Sequence, residues 1–170
     1  SKVYMIEPNR RILRAAISNV SDHMIDIPPY SRIYPICATM GKDIDSSSMY
    51  QNPSYRAEPE PQVLNLHELI SGFEVPIIDY LRVDTWGAEY NILSKEMLWL
   101  FNSHVKFTAI RVVLGNRYNS HKVFERWRDS FLKEVKDKLL FKDENMHEWL
   151  WADDWKEKLP YTFMMYIRNW

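Results

Sequence analysis

The sequence is poor in the features that mark secreted, membrane-spanning or nucleic-acid-binding proteins. Its 170 residues include one cysteine, Cys37, which excludes an intrachain disulfide. No apolar run approaches the ~20 residues that span a bilayer, and no signal-peptide pattern opens the chain, so the cytoplasm is the default compartment. The formal net charge is −1, with acids and bases interspersed, which argues against nucleic acid as a partner.

Glycine is also scarce, and its four copies lie far apart, at Gly41, Gly72, Gly87 and Gly115. None belongs to a glycine-rich loop of the kind that lets the backbone approach a nucleotide. The chain does not begin with Met and enters an apolar run almost at once. We therefore expect that residues upstream of Ser1 are missing and that the chain is N-terminally incomplete.

Apolar runs typical of strands alternate with stripes at helical spacing. Strands are predicted at 3–6, 32–40, 63–66, 77–84, 107–114 and 161–167, and helices at 12–20, 67–71 (stopped by Gly72), 86–101 and 120–138. The polar, proline-bearing segment 45–61 is predicted to be a surface excursion. This alternation predicts one α/β domain over 1–170, with a doubly wound, mostly parallel, Rossmann-like sheet.

The first candidate site residue is Glu7, which directly follows the predicted strand 3–6. A carboxylate at the carboxyl end of such a strand commonly accepts hydrogen bonds from ribose hydroxyls. The structural alternative is that Glu7 lies near a helix N-terminus, where negative charge is favourable.

The second candidate is Asp84, which follows strand 77–84 at the edge where ligands bind in these sheets. It could act as a base or orient a substrate group, with Gly87 allowing close backbone approach. The structural alternative is a helix-capping Asp84 with Glu89 in the first turn. We expect Glu7 and Asp84 to lie on the same rim of one parallel sheet and to face a shared nucleotide pocket.

Two segments together resemble the FkbM-type S-adenosylmethionine-dependent methyltransferases. KVYMIEPNRRILRAAISNV is similar to the family's strand, Glu-Pro-Asn and helix, and IIDYLRVDTWGAEYNIL to its Asp-x-x-Gly-Ala-Glu segment. Between them, residues 36–43 resemble its third strand and turn, and 64–69 its Thr-Leu-Asp-acid-Leu element. The likeness runs from Lys2 to about Leu114, and loosely to the end of the chain.

This resemblance implies a class I methyltransferase-like sheet that lacks the first strand and has an antiparallel C-terminal strand. It implies that Glu7, with Asn9, binds the ribose of S-adenosylmethionine and that Cys37 and Ala38 lie near the adenine. Asp84 would lie near methyl donor and acceptor as a catalytic and cofactor-binding residue, with Glu89 supporting it. The implied reaction is O-methylation of a small-molecule or sugar hydroxyl, chemistry that requires no metal.

Other features keep two alternatives open. His67 and Val113 stand where the family usually carries acids, and Trp86 is bulky, which favours a catalytically inactive methyltransferase-like binding module. Asp43 and Asp45 belong to an Asp-x-Asp triplet of the kind that holds a metal in some nucleotide-sugar glycosyltransferases, and a transferase of that class is the second alternative. The histidines lack ligand spacing, so no metal site is predicted. An aromatic and acidic segment is either a lid over the acceptor or the edge of the core; it comprises Trp149, Trp151, Asp153, Asp154 and Trp155.

Overall fold

The structure, a computed structural model, describes residues 2–22, 32–41, 62–85, 89–114 and 121–170. Two compact units make up the chain, Ser1–Leu64 and Asn65–Trp170. That they form one domain stays a prediction. The predicted surface excursion at 45–61 and the triplet Asp43–Asp45 lie outside the described residues.

The described residues of the first unit form two short parallel strand pairs and one helix. Its elements are β1 (Lys2–Ile6), α1 (Arg10–Asp22), β2 (Arg32–Ile36), β3 (Ala38–Met40) and β4 (Gln62–Leu64). β1 pairs with β2 from Lys2↔Arg32 to Ile6↔Ile36, and the rings of Tyr4 and Tyr34 stack across this pair at 5.1 Å. β3 pairs with β4.

The predicted amphipathic helix is confirmed in α1, which buries Leu13 and exposes Arg10, Arg11 and Arg14. The single strand predicted at 32–40 is wrong, because it is interrupted at Cys37. Residues before Cys37 pair with β1 and residues after it pair with β4. A continuous apolar run does not reveal that its two halves have different partners.

The second unit is built on a mixed four-stranded sheet in the order β5-β6-β8-β7. Its strands are β5 (Ile78–Val83), β6 (Val105–Val113), β7 (Leu139–Phe141) and β8 (Thr162–Arg168). β5 and β6 are parallel, whereas β8 lies antiparallel to both β6 and β7. The α/β class and the antiparallel C-terminal strand are therefore confirmed, in a sheet that mixes both strand directions.

Short helices connect these strands. They are α2 (Leu66–Gly72), α3 (Glu89–Ile92), α4 (Leu98–His104), α5 (His121–Trp127), α6 (Met146–Trp151) and α7 (Trp155–Lys158). 3₁₀ turns occupy Lys95–Met97 and Lys136–Lys138, and a π-helical turn occupies Arg128–Leu132. The core of the unit is aromatic: ring centroids lie 5.3 Å apart for Phe101 and Phe131, and 5.9 Å apart for Phe124 and Phe163.

The structure corrects both long helices predicted for this unit. The helix predicted at 86–101 breaks after α3, where the indole Nε1 of Trp127 donates to the Leu93 carbonyl at 2.7 Å. A helix continuing through this point would use that carbonyl for the N–H of Met97, which instead bonds to Ser94. The helix predicted at 120–138 contains the π-helical turn, which preserves the buried spacing of Phe131 and Val135 while changing the hydrogen bonding.

The two ends of α2 are sharply defined. Asn65 and Glu68 form a reciprocal capping box, in which each side chain accepts the other's backbone N–H at 2.8–2.9 Å. At the other end, Val75 N–H bonds to the Ile70 carbonyl and Glu74 N–H to Ser71, with Glu74 left-handed at φ 51°. This is a Schellman motif. Gly72 is thus the last helical residue rather than the stop that the sequence predicts.

Candidate functional site

Glu7 and Cys37 lie at the same edge of the β1–β2 pair. The pairing ends at Ile6↔Ile36, so Glu7 and Cys37 are the next residues of two neighbouring parallel strands. The Glu7 N–H continues the ladder to the Ile36 carbonyl at 3.1 Å. The Cys37 thiol donates to the Pro8 carbonyl across a distance of 3.6 Å. These contacts bring the Glu-Pro-Asn segment and the end of the next strand together.

The Glu7 side chain is half-buried and held by the turn that follows it. Its Oε1 accepts the N–H of Asn9 at 2.8 Å, whereas Oε2 accepts no hydrogen bond from the described residues. Desolvation by burial raises the pKa of the Glu7 carboxyl above its ordinary value, and the Asn9 bond opposes this shift in part. The carboxylate therefore has a fixed position and one oxygen with remaining acceptor capacity.

Asn9 has a structural task that the sequence interpretation did not include. Its Oδ1 accepts the N–H groups of Arg11 and Ile12 at 2.9 and 3.3 Å, so Asn9 caps α1. Ala38 is fully buried at the start of β3, and Cys37 beside it is half-buried. Within this unit Glu7, Asn9 and Cys37 form one edge cluster.

Asp84 follows β5 in the second unit and lies between two arginines. Arg82 Nη2 is 3.6 Å from Asp84 Oδ2, and Arg111 Nη1 is 3.7 Å from Asp84 Oδ1. The carboxylate is mostly shielded, and Oδ1 accepts no hydrogen bond from the described residues. Two guanidinium groups thus orient Asp84 without directly saturating it.

Glu89 is fully buried beside the Asp84 segment. Its Oε2 accepts the Thr85 hydroxyl at 2.7 Å, which links the start of α3 to the residue that follows Asp84. Burial, and secondarily the charge of Glu89, raise the pKa of the neighbouring Tyr90 above its ordinary range. Trp86, Gly87 and Ala88, which complete this motif, lie outside the described residues.

Arg111 is a site residue that sequence reasoning missed. It lies on β6, and its contact with Asp84 follows from the register, in which Val83 pairs with Ile110. The available signal was a lone charge inside the apolar run FTAIRVVL. An isolated arginine in a buried strand is uncommon unless the guanidinium has a partner.

The remaining candidates are weaker. Trp155 is buried, with its ring 5.5 Å from that of Phe124 and the Arg128 guanidinium 4.5 Å from its ring centroid, which supports a core position. In the part of the chain that the structure describes, no three His, Cys, Asp or Glu side chains are grouped as metal ligands. Within the same residues, no helix is long and apolar enough to cross a membrane.

Fold and site together define an α/β protein with acidic side chains fixed at the carboxyl ends of parallel strands, as in α/β proteins that bind small ligands. The family model of the methyltransferase FkbM domain matches residues 1–139. The chain belongs to this methyltransferase family, which confirms the resemblance found in its sequence. No curated protein and no solved structure matches the chain significantly.

Proposed function

We propose that this protein is an S-adenosylmethionine-dependent O-methyltransferase with a Rossmann-like, doubly wound fold. Its acceptor would be the hydroxyl of a small molecule or a sugar. The observation that carries the proposal is the Glu7 carboxylate, fixed by Asn9 at the carboxyl edge of a parallel strand pair with Oε2 open among the described residues. Membership of the FkbM family supplies the reaction class.

The edge cluster of the first unit fits the nucleoside part of the cofactor. Glu7 accepts hydrogen bonds from the ribose hydroxyls, because an ionised carboxylate is an acceptor-only group with two oxygens. Asn9 keeps the carboxylate in place through its backbone N–H. The half-buried Cys37 presents a small side chain to the adenine, with the fully buried Ala38 next to it in the chain. When bound, S-adenosylmethionine supplies a methyl carbon whose bond to the sulfonium sulfur breaks as its bond to the acceptor oxygen forms.

Asp84 orients the acceptor hydroxyl and takes its proton. Arg82 and Arg111 keep the carboxylate at the sheet edge, and each contact exceeds hydrogen-bond distance. Oδ1 is buried, so a hydroxyl approaches the carboxylate from the side of Oδ2. Glu89 supports this segment through Thr85. Positioning of the acceptor and removal of its proton are the two contributions that this chain's side chains make to the rate.

Binding of S-adenosylmethionine, measured by isothermal titration calorimetry, tests the cofactor site. Glu7→Gln should weaken binding by roughly tenfold or more, because an amide replaces the charged acceptor of the ribose hydroxyls. Glu144→Gln is the matched control, since Glu144 is exposed and belongs to neither site. Absence of binding to the unmodified protein would overturn the proposal in favour of the inactive binding module.

A second variant separates binding from catalysis. Asp84→Asn should retain cofactor binding and lower methyl transfer to a hydroxyl acceptor by about 10²–10⁴-fold, the usual range for loss of a catalytic base. Both Asp84 ion pairs involve partly exposed arginines, with side chains 65% and 40% exposed, so thermal stability should change little. An unchanged transfer rate would refute the role of Asp84.

A further inference from the structure

A cavity of about 520 Å³ opens at one edge of the sheet in the second unit, where β6 and β7 end and β8 begins. Its apolar lining residues are Phe141, Met146, Pro160, Phe163 and Met164. The volume lies within the range of about 300–1,000 Å³ that is typical of small-molecule pockets, whose walls are usually apolar with a few placed polar groups. In size and lining, the cavity therefore suits a small organic molecule.

The apolar walls of the cavity are held by contacts with neighbouring side chains. Phe163 is buried, and its ring meets the ring of Phe124 edge to face at 5.9 Å. The ring of Phe141 meets that of His147 in a similar way at 6.2 Å, and Met146 is buried at the start of α6. Because these contacts fix the walls before a ligand binds, binding requires little further ordering of the protein.

The charged residues at the cavity balance one another. Arg111 lines the cavity and is engaged by Asp84, at 3.7 Å between Nη1 and Oδ1. Lys142 and Asp143 are adjacent in the chain, are both exposed and also line the cavity. Two cations are thus matched by two carboxylates. A ligand with a net charge would lose hydration against the apolar walls without gaining a surplus of opposite charge, so the cavity favours an uncharged ligand.

The side chains of the walls favour an aromatic ring. Met146 and Met164 carry thioethers, which make favourable contacts with ring edges, and the rings of Phe141 and Phe163 can pack against another ring. The exposed Thr162 supplies a hydroxyl that both donates and accepts hydrogen bonds. A neutral ring with a hydroxyl substituent can use all of these groups.

We propose that this cavity binds an uncharged phenol, with its ring between the methionine and phenylalanine side chains. Arg111 lines the cavity and contacts Asp84, so the ligand lies beside Asp84 on the same sheet edge. Naming this phenol the methyl acceptor rests on the function proposed above. The binding site itself does not depend on that function.

The first test compares three ligands that share a 4-hydroxyphenyl ring and differ in charge, by ligand-observed NMR and calorimetry on the full chain without cofactor. They are the neutral 3-(4-hydroxyphenyl)propanamide, the anionic 3-(4-hydroxyphenyl)propanoate and the cationic tyramine. The neutral amide should bind about tenfold more tightly than either charged compound, because neither charge is compensated at the cavity. Equal binding of all three, or tighter binding of a charged compound, would overturn the proposal.

Charge variants test the balance itself. Asp143→Asn leaves an excess of one cation and keeps an acceptor for the N–H of Asn145, so it should strengthen binding of the propanoate by about threefold or more. Lys142→Gln leaves an excess of one carboxylate and should strengthen binding of tyramine by a similar factor. Both residues are exposed, so neither substitution should disturb folding. Unchanged affinities in both variants would contradict a charge-balanced cavity.

A wall variant tests where the ring binds. Met164→Gln keeps the length of the side chain but replaces the thioether with an amide, and it should weaken binding of the neutral ligand by about fivefold or more. Met97→Gln is the matched control and should leave binding unchanged, since Met97 is also half-buried in this unit but does not line the cavity. An equal loss in both variants would count against the proposed site. If Met164→Gln does not fold, the exposed residues Lys142 and Asp143 decide the outcome.

The site and the proposed function can fail separately. Binding of the neutral phenol without binding of S-adenosylmethionine would refute the proposed function and leave this site standing. Cofactor binding without a preference for the neutral phenol would do the reverse.

Discussion

At the end of α2, the sequence and the structure predict opposite effects of one substitution, Gly72→Ala, on the stability of the protein. If Gly72 were the left-handed residue that stops the helix, Gly72→Ala would place a Cβ in a strained conformation and destabilise the protein. In the structure Gly72 is helical, no atom lies within 4 Å of a Cβ added there, and Glu74 is the left-handed residue. Gly72→Ala and Glu74→Gly should therefore both be stabilising.

The structure sets the size of each effect. Alanine in place of a helical glycine contributes about 1 kcal/mol to the free energy of unfolding, and the open space at Gly72 adds no clash. Glycine at Glu74 relieves about 1–2 kcal/mol of left-handed strain but loses about 0.5–1 kcal/mol of backbone entropy, for a net gain near 0.5–1 kcal/mol. The exposed Glu74 side chain contributes little that would be lost.

Urea unfolding followed by tryptophan fluorescence measures both variants. Each should raise the midpoint without changing the denaturant slope, and each should raise Tm by about 2–4 °C per kcal/mol for a chain of this length. Glu74→Gln, which changes the charge but keeps the Cβ, should lie within about 0.5 kcal/mol of the unmodified protein. A lower midpoint for Gly72→Ala would refute the Schellman assignment.

Two further effects can be measured in the same assay. Burial raises the pKa of the Glu7 carboxyl in the folded state above its ordinary value of 4.5. The contribution of this carboxyl to the free energy of unfolding is therefore fully present below pH 4.5 and is lost as the pH rises through the folded-state pKa. Glu7→Gln should therefore unfold at higher urea at pH 7, with a gain that shrinks towards pH 4.5; a pH-independent difference would contradict this. Trp127→Phe should lower the free energy of unfolding by about 1–3 kcal/mol, since the Leu93 carbonyl loses its buried donor, and an unchanged midpoint would contradict that.

The sequence predicts the strands of this fold better than its helices. Most predicted strands fall where apolar runs are bounded by proline, glycine or acids, and these local signals also end the pairing. Helix continuity at 86–101 and 120–138 was not predictable from spacing, because the Trp127 contact with Leu93 and the π-helical turn leave the buried stripe intact. β7, α6 and α7 were missed, since each is too short to show a period.

In the candidate site, too, the residues marked by local sequence were predictable and the residue that depends on strand pairing was not. Glu7 and Asp84 were predicted because a strand and the acid after it are adjacent in sequence, and the structure places both directly after parallel strands. Their position on one shared rim stays a prediction. Arg111 was not predictable in this way, because its meeting with Asp84 depends on how β5 and β6 pair.

Strand register decides which charged side chain meets the proposed catalytic carboxylate. Arg111 contacts Asp84 only because Val83 pairs with Ile110, and it lies level with Lys142 because β8 pairs with both β6 and β7. A slip of one residue between strands would turn Arg111 to the opposite face of the sheet. The ring of Phe107, four residues before Arg111 on β6, stacks on Tyr80 of β5 at 5.8 Å and on Tyr166 of β8 at 6.0 Å. These rings help to fix the register, so packing far from the edge decides which charges meet there.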